Sequence, residues 1–142
     1  MKKLRVLGVC AGQGALLFPF RENLLGNIEI RGVFHTNCES QWKLNFGDIP
    51  FYKGFCLQEF DEKVDIIISS PDCGSSSVMR LSKVKELGNP KDNRSLNLVI
   101  SSILKYKPKI FLIENLPRLL SLLPKNFFEE TFKAVSYTHL TL

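Results

Sequence analysis

Four apolar segments of the chain predict strands: LRVLGVC (4–10), IEIRGVF (28–34), VDIIIS (64–69) and KIFLIE (109–114). The first, third and fourth are nearly unbroken apolar runs, which suit strands covered on both faces in a parallel sheet. Helical patterns fall between them. The clearest is SLNLVISSILKY (95–106), where Leu96, Val99, Ile100, Ile103 and Leu104 recur at helical spacing and make one apolar stripe. ALLFPFRENLL (15–25), interrupted by Pro19, and NCESQWKLNF (37–46) are weaker helical patterns. This alternation predicts right-handed crossovers and an α/β, doubly wound, mainly parallel sheet. The long irregular stretch 70–94 exceeds what a simple connection needs, and its length points to function.

Ligands of such sheets sit beyond the carboxyl ends of the strands. Those ends carry Cys10-Ala11-Gly12-Gln13-Gly14, His35-Thr36, Ser70-Pro71-Asp72-Cys73 and Glu114-Asn115, so the chemically interesting residues share one rim. Each has a plainer reading beside the functional one. Gly12 and Gly14 let a backbone turn approach a ligand ahead of a helix, or they are turn residues only. A full dinucleotide fingerprint wants a third glycine where Leu17 stands, and no Gly-Lys-Ser/Thr phosphate loop is present. The acid that would grip a ribose after the second strand is absent, with Glu39 the nearest carboxylate downstream of Phe34-His35-Thr36.

Cys73 is either an inert thiol in a turn or a nucleophile on a loop. A free thiol, of pKa ~8.5, is only a few per cent thiolate near neutral pH, so activation must come from its surroundings. Asp72 beside it opposes that activation. Asn115 is read either as the cap of a helix starting at Leu116-Pro117 or as a site residue. Glu114, directly after FLI, is either a solvated strand end or a partly buried carboxyl whose raised pKa suits proton donation. The segment 80–94 sets Arg80, Lys83, Lys85, Lys91 and Arg94 against Glu86 and Asp92. It is a solvated loop or, over a site, a cover suited to phosphates.

Bulk properties narrow the class. A chain of 142 residues with 44% hydrophobic and 23% charged residues makes one globular domain. No apolar run is long enough for a membrane helix, and the apolar stretch after the basic start runs into glycines, so no membrane association and a cytoplasmic location are expected. Cys10, Cys38, Cys56 and Cys73 lack metal-ligand or disulfide-framework spacing, and the histidines are His35 and His139 alone. Reduced thiols and no metal are the expectation. The net charge of +5 leans towards anionic partners such as nucleic acid.

Taken in order, LGVCAGQGALLFPF, NFGDIPF, VDIIISSPDCGSSS, DNRSLNLV and KPKIFLIENLPRLL resemble the N-terminal half of DNA (cytosine-5)-methyltransferases over nearly residues 4–120. The most specific element is Lys107-Pro108-Lys109, an apolar strand and Glu114-Asn115, following the Pro-x-Cys of the third strand. The resemblance implies a Rossmann-like S-adenosylmethionine-dependent methyltransferase fold, incomplete in this chain. It implies that Cys73 attacks carbon 6 of a cytosine flipped from double-stranded DNA, while Glu114 protonates or hydrogen-bonds ring nitrogen 3. Asn115 fixes the geometry around Glu114, and Arg94 matches an arginine the family keeps near the site. S-adenosyl-L-methionine is cradled by Cys10, Ala11, Gly12, Gln13 and Gly14, with Ser70 and Pro71 completing the contact. DNA methylation, in a setting such as restriction-modification, is the implied role, by a monomer when full length.

There are departures. Pro71-Asp72-Cys73-Gly74 stands where the family usually has Pro-Pro-Cys-Gln, and Gly8 replaces a common acid. The family's later motifs and target-recognition part have no counterpart. Residues 1–133 are expected to be part of a catalytic domain, and AVSYTHLTL (134–142) a tail foreign to it. Two other functions fit the residues: a degenerate DNA-binding relative without the chemistry, and an S-adenosylmethionine-dependent enzyme acting on a small molecule.

Overall fold

The computed structural model describes residues 3–22, 24, 26–54, 57, 60–73 and 93–133. The apolar runs become neighbouring parallel strands: β1 (Leu4–Val9), β2 (Ile28–His35), β4 (Ile66–Ser69) and β5 (Ile110–Ile113), with a short β3 (Phe51–Lys53) at the far edge. Their order is β3-β2-β1-β4-β5. β1 is central, pairing Val9 with Phe34 of β2 on one side and with Ser69 of β4 on the other. β5 continues the sheet with Ser69 opposite Ile113, so the tips of β4 and β5 end level. β3 follows no apolar period, since three residues are too few to display one.

Alternation along the strands sorts the core into two layers. Leu7, Val9 and Ile67 pack on one face with Leu98, Val99 and Ile103 of α3 (Arg94–Tyr106), together with Phe60 and Phe132. Val6, Ile30, Ile66 and Ile68 pack on the other with Leu17, Trp42 and Phe46. α3 matches its apolar stripe and starts one residue earlier than the periodicity implies. Two short helices follow β5, α4 (Arg118–Leu122) and α5 (Phe127–Phe132).

Three expectations are corrected. The segment 15–25 is a 3-10 turn at Ala15–Leu17 and then a single-turn α1 (Phe18–Arg21), with Pro19 at its start. The helix expected over 37–46 is α2 (Glu39–Phe46), because Cys38 adopts a left-handed conformation (φ 71°). β5 is not covered on both faces among the described residues: Ile110 is 59% and Leu112 49% exposed. Its other face, Phe111 and Ile113, meets the core.

At the opposite end of the sheet, the buried Asp65 joins three strands. Its Oδ2 accepts from the Arg5 backbone N–H (3.0 Å) and Nε (3.3 Å), and its Oδ1 lies 3.3 Å from Lys109 Nζ. Burial pushes this carboxyl up, but the Arg5 amide, Lys109 and the Arg5 side chain together hold it below the usual carboxylate range. A carboxyl lowered by folding stabilises above its unfolded pKa, ~4, and that stabilisation disappears as pH falls through the folded value. Asp65→Asn is therefore expected to lose about 1–3 kcal/mol at neutral pH. It should also flatten the acid limb of stability below about pH 4. Urea denaturation of both proteins at pH 7 and pH 3 checks this: an unchanged pH 7 midpoint would contradict it.

Candidate active site

Where β4 ends, four successive residues are tied down. The buried Ser69 donates through Oγ to Leu112 O (2.8 Å) and accepts through its carbonyl from the Glu114 N–H (2.9 Å). Ser70 Oγ donates to Glu114 Oε2 (2.6 Å), and Asn115 Nδ2 donates to Pro71 O (2.8 Å). The Asp72 N–H donates to Ser95 Oγ (3.0 Å), and Asn93 Nδ2 donates to Asp72 O (3.1 Å). Cys73, exposed, is the next residue. The sulfur-bearing loop and Glu114 thus stand on one rim, on adjacent strands whose axes are ~4.8 Å apart.

The candidates differ in setting. Glu114 is exposed, the solvated strand end of its two readings and not the partly buried carboxyl. Asn115 does not cap α4, whose N-cap is Pro117 with no side-chain bond; it links the two tips instead, while its Oδ1 accepts from the Leu116 N–H (2.9 Å). Arg94 is exposed at the first position of α3, beside the Asn93 that holds Asp72. Ser70 and Pro71, expected at the cofactor, take part in this tie, the Ser70 hydroxyl with Glu114 and the Pro71 carbonyl with Asn115.

The turn after β1 lies beside this loop. Cys10 takes a left-handed conformation (φ 54°) and its backbone N–H donates to Phe34 O at 2.7 Å. Its thiol is buried 3.6 Å from Ser95 O, and burial, reinforced by Asp72, pushes it up to about 12. A thiol so protonated is no nucleophile at neutral pH. Ala11 is buried as well, so the turn faces outwards through Gly12 and the exposed Gln13. Gly12 (φ +57°) has nothing within 4 Å of where a Cβ would sit, leaving the backbone open to a ligand. Gly14 serves packing instead: a Cβ there would overlap the Phe46 ring and come within 2.9 Å of Trp42 Cζ3. Gly8, where an acid is common, is also closely packed, with Leu17 Cδ1 2.8 Å from the position a Cβ would take.

His35, at the tip of β2, is half-buried, and burial lowers its pKa against an opposing hydrogen bond to the Asn37 side chain. It therefore presents a neutral ring where a carboxylate was sought. A crevice between β1 and β4, where the chain switches from one side of β1 to the other, is the position a nucleoside-bearing cofactor takes in such sheets. The open Gly12 turn fits that use.

Two residues that hold this loop escaped the sequence reading: Asn93 and Ser95. An asparagine directly before an apolar-periodic run is a helix-start signal, and Asn93 does cap α3, accepting from the Ser95 and Leu96 N–H groups at 3.1 Å each. Gly74, Cys56, the basic segment up to residue 92 and the tail 134–142 lie outside the described residues. Among the described residues, no three His, Cys, Asp or Glu side chains are grouped to hold a metal ion, and no helix is long and apolar enough to cross a membrane.

A family model, C-5 cytosine-specific DNA methylase, matches residues 23–138. Among solved structures, the chain is similar to a mutant of Spodoptera frugiperda DNMT2, with TM-score 0.64 and 22% identity over 92% of this chain and 41% of that one. It is similar also to the Entamoeba histolytica methyltransferase EhMeth, with TM-score 0.62 and 22% identity over 93% of this chain and 43% of that one. The chain therefore spans less than half the length of either neighbour. No curated protein matches it.

Proposed function

The chain belongs to the C-5 cytosine-specific DNA methylase family, and from that premise we propose that it carries the catalytic loop and cofactor turn of an enzyme methylating carbon 5 of cytosine in double-stranded DNA. The observation that carries this reading is the pair of hydrogen bonds joining the tips of β4 and β5, Ser70 to Glu114 and Asn115 to Pro71, which sets Cys73 and Glu114 on one rim. Cys73 is the nucleophile. Its sulfur adds to carbon 6 of an extruded cytosine, while Glu114 delivers a proton, or a hydrogen bond, to ring nitrogen 3. The ring electrons that would have become an anion then make carbon 5 nucleophilic. After carbon 5 is methylated, loss of its proton restores the carbon 5–carbon 6 double bond and expels the sulfur.

The backbone of the turn from Cys10 to Gly14, opened at Gly12, would hold S-adenosylmethionine. When bound, that cofactor supplies the methyl group. Cys10 itself contributes main chain and not chemistry, since its thiol is buried and protonated. The exposed Arg94 and the net charge of +5 suit the phosphates of a duplex.

A duplex bearing 5-fluorocytosine tests the reading. Fluorine leaves no proton to remove at carbon 5, so the sulfur cannot depart after methylation. With the duplex and S-adenosylmethionine, a species with the summed mass of chain, the fluorocytosine-bearing strand and one methyl group is expected under denaturing conditions. Salt-sensitive binding without that species would replace this reading with the DNA-binding relative, to which the exposed Asp72 beside the thiol lends itself. Neither binding nor adduct would favour a small-molecule substrate.

A further inference from the structure

The side chains that hold the backbone next to the thiol do not come from β4 or β5. They come from the start of α3. Ser95 Oγ accepts from the Asp72 N–H at 3.0 Å and donates to Asn93 Oδ1 at 2.7 Å, while Asn93 Nδ2 donates to Asp72 O at 3.1 Å. That is one donor and one acceptor lone pair for the serine hydroxyl, a satisfied arrangement. Both polar backbone groups of Asp72 are thereby fixed from a single helix turn. The carbonyl one residue earlier, Pro71 O, is fixed by Asn115 at 2.8 Å. Two successive peptide units, the first held at both polar groups and the second at its carbonyl, cannot rotate without breaking a bond, which leaves Cys73 mainly its own torsions to place the sulfur.

The identity of residue 72 sharpens the point. A proline there would stiffen the chain but would have no N–H to donate. Aspartate leaves φ free and supplies the N–H, and Ser95 takes it. Ser95 also links this clamp to the neighbouring turn, since its carbonyl accepts from the Cys10 thiol at 3.6 Å.

We propose that Ser95, aligned by Asn93, is a positioning residue for the Cys73 thiol, holding the Asp72 backbone so that the sulfur is aimed at the base. This rests on the reading of Cys73 as the nucleophile. Ser95 is the better probe of the two. Its side chain is not the helix cap, and alanine is a good helix former, so its removal leaves α3 intact. Replacing Asn93 would remove the cap as well as the clamp.

The test follows adduct formation by the full chain with the 5-fluorocytosine duplex and S-adenosylmethionine, in single turnover at saturating duplex. Ser95→Ala is expected to slow the step about ten- to a hundredfold, the scale of an ångström-sized misplacement. Half-saturation by duplex and the thermal midpoint should not move. Ser95→Thr, which keeps the hydroxyl, should recover most of the rate. In an Asp72→Pro background the donor is already gone, so Ser95→Ala should then change the rate by less than about twofold.

An independent readout is amide hydrogen exchange at Asp72, which Ser95→Ala should accelerate about tenfold. An unchanged rate or unchanged exchange in Ser95→Ala, or equal slowing in the Asp72→Pro background, overturns the inference. If the wild-type adduct still maps to Cys73, the proposed function survives that result. A wild-type adduct mapped to another residue, or none formed, removes both.

Discussion

Replacing Cys73 by serine is expected to abolish methyl transfer and the covalent adduct while leaving duplex binding within about twofold. The loss should exceed about 10⁴-fold, because a nucleophile that forms the covalent intermediate has no substitute in the mechanism. A serine hydroxyl is a far weaker nucleophile at neutral pH. The only histidine among the described residues, His35, ends a different strand. The exposed position of Cys73 means the exchange of sulfur for oxygen creates no cavity, so folding should be unaffected. Cys38→Ser is the matched control, since the Cys38 thiol donates to Asn37 and follows β2, which β1 separates from β4. Glu114→Gln keeps an acceptor for Ser70 but has no proton to deliver, and a fall of about 10²–10⁴-fold is expected. Undiminished methylation by Cys73→Ser, measured as label transferred from S-adenosylmethionine to DNA, would end the assignment.

What the residues disclose unaided depends on how local the cause is. The apolar runs around Val9 and Ile67 report burial directly, and their ends fix which rim holds Cys73 and Glu114. α3 is visible for the same reason, as Val99 and Ile103 of its stripe are buried against the sheet, although Leu104 is exposed. The bonds that make a site of that rim were not visible. Ser95 meets Asp72 across 23 positions and Asn115 meets Pro71 across 44. Nothing in a periodic pattern encodes such side-chain-to-backbone contacts, so Asn115 reads as a helix cap as readily as a site residue, and Ser95 only as the start of a helix. The exposure of Glu114 and Leu112 has the same origin: β5 is the edge of the sheet, and an apolar run cannot state which of its faces has a partner.

The two glycines of the first turn separate packing from ligand binding, and they should do so measurably. Gly14→Ala is expected to destabilise the fold by about 2–5 kcal/mol. About 1–2 of this is left-handed strain at φ +89°, and the remainder overpacking against aromatic rings. Those rings cannot yield. Trp42 is fully buried, stacks on Phe46 with centroids 4.1 Å apart, and donates through Nε1 to Ile49 O at 2.8 Å. Gly12→Ala meets no atom, so only the strain at φ +57° remains and the fold should lose about 1–2 kcal/mol. Its methyl group would instead occupy the space through which the backbone reaches a ligand, and S-adenosylmethionine affinity should fall at least about tenfold. Denaturation midpoints and calorimetric titration with S-adenosylmethionine distinguish the two effects. If Gly12→Ala bound the cofactor as tightly as the wild type, the turn would be a structural corner and the cradle would have to be sought elsewhere on the rim.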